Sequence, residues 1–483
     1  MNHNINIIQN KGESKMKTNF KKVLALATVL TMSVSMLAGC GTKVNDKNEK
    51  GQTVISVGNW PTNEGVSMDN ANARKSAFEA SNPDVFVEPD TWTFNRKTFY
   101  AKAAGGQLPT VFKAGVTEIN EIINSEYSAD LTDVLKERGY EGKFNPLVLD
   151  LLSRDGRIYA FPTSVDMLGL MVNMDLFKAA GLVEADGTPM QPETWDDVVE
   201  FAKKIKAATG KAGFVWPTTD RSGGWLFTCL AWSFGADFME KDTNGKWKAT
   251  FNTPEAAAAL QFVKDMKWKH DILPATSLID TTEWYKILGT GNAGMTFAAS
   301  AYPANQIYKY GIEPTSIGVI GMPKGPKAHV TLITGSVLCV NNTATKDQID
   351  AALRWIETES SYKVTDNLKS TLTANKKDAR DTNQLVGVYA SSPWSVDTDI
   401  VKFTRSLEDE YINTHPNNVR LYNEFIDNCP CEIRPEEPVN AQELYSILDG
   451  CIQEVLSNEN ADVVKVLEKA NADFQADYLD HAE

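Results

Sequence analysis

From residue 53 onward the chain alternates strand-forming and helix-forming stretches, and this alternation restricts the possible folds more than any other feature. Val54-Ile55-Ser56-Val57 reads as a strand, and Asn72 to Ala80 as a helix stopped by Asn82-Pro83. Val85-Phe86-Val87 is a second strand. Phe94 to Ala104 is helical and ends at Gly105-Gly106, and Val111-Phe112 opens a third strand. Such alternation implies an α/β chain, with a parallel sheet and helices packed on it. The best-marked helix is Thr194 to Thr209. Thr194 and Asp197 make a capping-box start, Trp195, Val198, Val199, Ala202 and Ile205 share one face, and Gly210 follows the end. Pro254, after Asn252-Thr253, suits the first turn of another helix. The tail from Ala441 reads as two helices broken near Ser457-Asn458.

Ahead of this region lies a leader. Lys21-Lys22, a short apolar run from Val23 to Ala38, and Leu37-Ala38-Gly39-Cys40 form a secretory signal too short to be a membrane span. A Cys directly after Leu-Ala-Gly resembles the lipobox of bacterial lipoproteins, which implies a lipidated Cys40 as the first mature residue. Met1 to Lys15 is polar and unlike an export signal, so translation is expected to start at Met16, with residues 1–39 removed as the signal. Residues 40–52 are then the lipidated Cys and a polar, aperiodic tether.

The formal net charge is −15. Residues 1–39 contribute +4 (Lys11, Lys15, Lys17, Lys21 and Lys22 against Glu13), which leaves −19 on the remainder. That sign argues against nucleic acid and against electrostatic binding to anionic lipid. Cys429-Pro430-Cys431 is too tight for an easy internal disulfide. Cys451 could pair with either, and no matching Cys or His pair suggests a metal. Catalytic patterns fail. Gly289-Thr290-Gly291-Asn292-Ala293-Gly294 is followed by strand-like Met295-Thr296-Phe297, the wrong context for a dinucleotide site. There is no phosphate loop, no G-x-S-x-G and no H-E-x-x-H. The chain is expected to be no enzyme and to use no cofactor.

Several stretches resemble the extracellular solute-binding lipoproteins of ABC importers, the family that includes maltose-binding protein. They are Asp155-Gly156-Arg157-Ile158-Tyr159-Ala160-Phe161-Pro162, then Leu170 to Leu182, then Pro192-Glu193-Thr194-Trp195. Gly106-Gln107-Leu108-Pro109 and Gly321-Met322-Pro323-Lys324-Gly325-Pro326 add to the pattern. The resemblance implies two α/β lobes, a multi-strand hinge and a ligand cleft between the lobes. It places lobe I at 53–165 plus 336–375 and lobe II at 166–335 plus 376–483. Crossings are expected near Pro162 to Asp166, at Thr334-Gly335-Ser336 and near Thr373-Ala374-Asn375. The implied protein is a monomer on the outer face of the cytoplasmic membrane, in a Gram-positive cell. Lipid is its only membrane contact, and it delivers a carbohydrate, an oligosaccharide, to permease subunits served by a separate ATPase.

A sugar presents apolar faces on which aromatics stack, and hydroxyl edges that polar side chains bond. Candidates in loops at strand ends are Trp60 with Glu64, Trp92, and Lys113, Thr117 and Glu118 after the third strand. The resemblance adds Asp166 at the hinge, Trp225 as a stacking aromatic and Tyr302 in place of a family Trp. Trp394 stands in a later loop. Trp195, Trp232, Trp268 and Trp355 fall on helical stretches and are assigned to packing. The acidic residues of the tail read as a solvated face. Two other functions remain open: a surface glycoside hydrolase using Asp166 with Glu118 or Glu64, and a sensor that presents ligand to a membrane receptor.

Overall fold

The computed structural model describes residues 46–300 and 304–482. Met16, the leader, Cys40, residues 41–45 and Tyr302 lie outside the described residues. Residues 46–52, expected as tether, are folded onto the first strand. The Asn48 side chain accepts from the backbone N–H groups of Lys50 and Gln52, and Val54 N–H donates to Asp46 O at 2.9 Å. A local Asn turn brings this polar segment back onto the sheet, which composition does not reveal.

Nine strands form one sheet. They are β1 (Thr53–Val57), β2 (Val85–Pro89), β3 (Val111–Gly115), β4 (Phe161–Asn173), β5 (Ala212–Phe214), β6 (Ala293–Ala299), β7 (Ile317–Ile320), β8 (Val330–Val340) and β9 (Glu432–Arg434). The order is β2-β1-β3-β8-β4-β6-β5, with β7 also on β4 and β9 on β8. The β1–β2 and β1–β3 pairs are parallel, as the strand–helix alternation requires. The capping box at Thr194 and Asp197 forms, and Gly210 closes that helix at φ 71°.

Two long strands join the lobes. The first half of β4 pairs with β8 and its second half with β6 and β7. The end of β8 pairs with β3, and its start with β9. In the middle of the β4–β8 pair Asp166 faces Thr334 and Val165 faces Gly335. The third connection differs. Residues 373–375 sit inside the helix Asp366–Asp381; Leu385 and Val388 then join the second-lobe core, Trp394, Ile400 and Val401 return to the first, and Val419 lies in the second again, so the chain passes between the cores more than once in this stretch. There Tyr389 N–H donates to Asn423 in the second lobe, while Asn145 donates to Pro393 O and Ser392 O from the first. The helix is faint in the sequence because its apolar face is short: Leu368 and Leu372, one turn apart, are only partly buried against the first-lobe core.

The first-lobe core gathers Ile55, Val57, Val85, Val111, Phe144, Leu338 and Trp355. The second-lobe core is larger, around Leu170, Val199, Phe214, Leu230, Phe297 and Tyr422. Trp394, Ile400 and Val401, expected in the second lobe, pack in the first. All five described cysteines are free, Cys451 included. Burial pushes the thiols of Cys229, Cys339 and Cys451 to about 12. Among the described residues no helix is long and apolar enough to cross a membrane.

Candidate functional site

Sequence pattern and long-range packing together decide which candidates gather beside the two long strands. On the first-lobe side stands the loop after β3, anchored by Val116 N–H donating to Gly335 O at 3.2 Å. It carries Thr117 and Glu118. Thr117 Oγ1 donates across the seam to Glu436 Oε2 at 2.8 Å. Glu436 follows β9 and belongs to the second lobe. The buried Tyr445 hydroxyl and the Trp225 indole N–H also face Glu436, which is the acceptor within their reach. Burial raises the Glu436 carboxyl above its ordinary range, and the nearby Glu118 charge adds to the rise.

Trp225 is held by an unusually close helix pair. It lies on the helix Ser222–Ser233, which packs on Ala441–Ser457. A Cβ on Gly224 would stand 2.2 Å from Tyr445 O, so only glycine permits this approach. Asp449 of the second helix accepts from Gly224 N–H at 2.7 Å and Arg221 N–H at 2.6 Å, capping the first helix where its backbone donors are otherwise unpaired. In the tail read as a solvated acidic face, Glu454, Glu459, Asp462, Glu468, Asp477 and Asp480 are exposed, whereas Asp449 is buried by this role; Glu437, just ahead of the tail, is buried as well.

At the hinge, Asp166 Oδ1 accepts from Ser300 Oγ at 2.6 Å, and Ser300 N–H donates to Tyr422 Oη at 2.8 Å. Tyr422 Oη in turn donates to Met167 O at 2.7 Å. Burial holds the Asp166 carboxyl above its ordinary value, while the Ser300 hydroxyl pulls it down. Ser300 sits at φ 47°, a left-handed conformation uncommon for serine, on the segment leading toward Tyr302.

The other candidates are placed elsewhere. Trp60, 6% exposed, stacks on Trp355 at 6.1 Å in the first-lobe core. Trp394, 4% exposed, stacks on Phe144 at 5.3 Å and belongs to the same core. Both follow turn signals that mimic exposed loops, yet the large apolar ring finds the core. Trp92 packs among Phe94, Phe99 and Phe112, with Lys102 Nζ 5.6 Å from its ring. Glu64 is exposed before the helix Val66–Ser81, and Lys113 is a half-buried β3 residue opposite Leu338. Trp195, Trp232 and Trp355 are buried as assigned. Trp268 is 38% exposed, though its indole donates to Val455 O. A concavity of about 680 Å³ lies away from the cleft, against Lys47, Asp84, Asp130 and Arg354. Ion pairs such as Arg354–Asp84 line it, and it shares no residue with the cleft floor.

Glu436, Tyr445, Ser300 and Asp449 were not read as site residues. The sequence signal for Glu436 was Pro435-Glu436-Glu437-Pro438, two acids clamped between prolines just ahead of a helix.

Residues 61–363, more than half of the chain, match the family described as bacterial extracellular solute-binding protein. The chain belongs to this family. It is a solute-binding protein and not an enzyme. Escherichia coli UgpB, named as an sn-glycerol-3-phosphate-binding periplasmic protein, is 28% identical over 272 residues. That match covers 53% of this chain and 58% of the relative. A Brucella abortus binding protein is 25% identical over 342 residues, 69% of this chain and 77% of that one. Among solved structures, maltose-bound MalE3 of T. maritima superposes with a TM-score of 0.58 at 24% identity, over 88% of this chain and 99% of that one. UgpB of Mycobacterium tuberculosis in complex with glycerophosphocholine gives 0.59 at 17% identity, over 88% and 98%. These two share the two-lobed fold.

Proposed function

We propose that this solute-binding protein captures a carbohydrate, an oligosaccharide, in the interlobe cleft and delivers it to the permease of an ABC importer driven by a separate ATPase. The observation that carries the reading is the half-buried Trp225 beside hydroxyl-bonding groups from both lobes, Thr117 and Glu436, with Asp166 and Ser300 at the hinge. A stacking platform edged by carboxylates and hydroxyls suits a sugar's faces and edges. Maltose bound in MalE3 of T. maritima supports the same ligand class. The second reading is a glycerophosphate, which the UgpB relative favours.

Isothermal titration of the chain from residue 41 onward tests both. Neutral oligosaccharides are expected to bind and sn-glycerol 3-phosphate not to. Binding of amino acids or peptides alone sinks the carbohydrate reading. Trp225→Ala is expected to weaken sugar binding by roughly 30-fold, the cost of losing one buried aromatic anchor.

The proposal includes lipidation of Cys40, which holds a monomer at the outer face of the cytoplasmic membrane of a Gram-positive cell. Several acyl chains on one residue meet the threshold for stable anchoring. In cells fed labelled palmitate, Cys40→Ser is expected to lose the label and appear in the medium. A variant that stays in the membrane fraction removes the anchor from the proposal.

A further inference from the structure

Two thiols meet in the short link between the helix Pro416–Asp427 and β9. Cys429 and Cys431 are both free and both half-buried, with the exposed Pro430 between them. Cys229, Cys339 and Cys451 are buried, so this pair holds the accessible thiols of the described residues. Proline fixes its own φ and keeps the residue before it in extended backbone. Along an extended chain, residues two apart point to one face. The two side chains face each other accordingly, packed against the second-lobe core, and the Cys431 thiol donates a hydrogen bond to the Cys429 sulfur. Among the described residues they belong to no group of three or more His, Cys, Asp or Glu able to hold a metal ion. A pair of touching, half-exposed thiols is instead suited to chemistry between the two sulfurs.

We propose that Cys429 and Cys431 form a reversible thiol–disulfide exchange site whose co-reactant is a small-molecule disulfide, R–S–S–R. This is independent of what the cleft binds. The Cys429 thiolate attacks one sulfur of R–S–S–R, a mixed disulfide forms on Cys429, and R–S⁻ leaves. The Cys431 thiolate then attacks the Cys429 sulfur, closes the Cys429–Cys431 bond and releases the second R–S⁻. The two leaving thiolates take up the two protons that the cysteines gave up. Two protein thiols are thus oxidised by two electrons, and R–S–S–R is reduced to two R–SH. Cys429 attacks first because the hydrogen bond from Cys431 holds its thiol below the ordinary value, against the opposing effect of burial. The same bond holds the Cys431 thiol above its ordinary value. Once Cys429 is in the mixed disulfide that hold is gone, and Cys431 is free to ionise. The spacing that is too tight for an easy structural disulfide makes the closed form labile, because a strained, half-exposed bond is readily reduced. The exchange therefore runs in both directions.

The test treats the folded chain from residue 41 onward with oxidised glutathione and then with reduced glutathione. Intact mass and cysteine-containing peptides are read after each step. With oxidised glutathione the native chain is expected to lose the mass of two hydrogens, to keep no glutathione, and to yield a peptide closed between Cys429 and Cys431. Excess reduced glutathione is expected to reopen that bond without denaturant. Cys431→Ser is expected to stop at the mixed disulfide, with one glutathione held on Cys429. Cys429→Ser is expected never to lose two hydrogens. The native chain decides by itself even where a serine variant fails to fold. A native chain that leaves both thiols free, keeps glutathione on either one, or closes a bond to Cys451 overturns the exchange site. So does a Cys429–Cys431 bond that opens only under denaturant, which would be a structural disulfide.

Discussion

Gly335→Ala is expected to destabilise the unliganded chain by about 3 kcal/mol or more and to weaken ligand binding with it. Gly335 lies where β8 crosses between the lobes, opposite Val165 of β4. A Cβ there would stand 2.1 Å from the Ser164 carbonyl oxygen and 2.9 Å from Val165 Cα. Both neighbours are backbone, and both belong to the other crossing strand, so no side chain can swing away to make room. The strands must separate, and three hydrogen-bonded features move together: the Asp166–Thr334 register, the Val116–Gly335 bond and the loop that carries Thr117. Urea unfolding checks the stability, and titration with the best saccharide checks the coupling to the cleft. An unchanged urea midpoint would mean that the crossing strands tolerate a spacing the packing rules out. Gly224→Ala acts by the same physics one layer away, where the clash is with the Tyr445 carbonyl that fixes the helix of Trp225.

Glu437→Gln is expected to remove most of the loss of stability between pH 5 and pH 8. Glu437 is 4% exposed and accepts from the Trp232 indole N–H at 2.8 Å. Burial pushes its carboxyl up from 4.5 to about 7, against smaller opposing pulls from Trp232 and Arg434. Folding thus favours the protonated form. Between 4.5 and about 7 the folded chain holds a proton that the unfolded chain has released. Stability is full below the unfolded value and is lost as pH rises through the folded one, by roughly 3 kcal/mol over the whole interval. Burial raises Asp166, Glu436 and Asp449 in the same direction and adds to the trend. Asp84, held low by Arg354, works oppositely, with stability lost as pH falls through its folded value. Urea midpoints of the native chain and of Glu437→Gln at pH 5, 6.5 and 8 provide the measurement. Equal slopes in the two proteins would remove Glu437 as the cause.

Local features of the chain were legible because local physics sets them. The Thr194–Asp197 capping box, the left-handed Gly210 and the proline-led helix at Pro254 all form as their residues require. The strand after Asn292 follows a helix, as the residue types require: Gly289 ends the helix, Gly291 makes the turn at φ 66° and Gly294 lies in the strand. The helix Asp366–Asp381 is faint in the sequence for the matching reason: only Leu368 and Leu372 pack on the core, too short an apolar trace to set a period.

The site was only partly legible. Thr117, Glu118 and Trp225 meet around Glu436, and Asp166 reaches the hinge. Trp60 and Trp394 do not join them, because a ring beside a turn can swing inward when a core lies within reach, here against Trp355 and Phe144. The glutamate that completes the cluster stands 319 residues from Thr117, and no periodicity links positions so far apart.

By itself the sequence determined the α/β alternation, the capped helices at Thr194 and Pro254, and the lack of a catalytic pattern. Each depends on residues a few positions apart, where sterics and hydrogen-bonding rules act directly. Only the tertiary structure decided which aromatic rings enter the cores, which acids are buried, and how residues 382–419 alternate between the two cores. Those outcomes follow from packing between segments hundreds of residues apart, as when Asp449 caps the helix of Trp225 and Glu436 meets Thr117 across the seam.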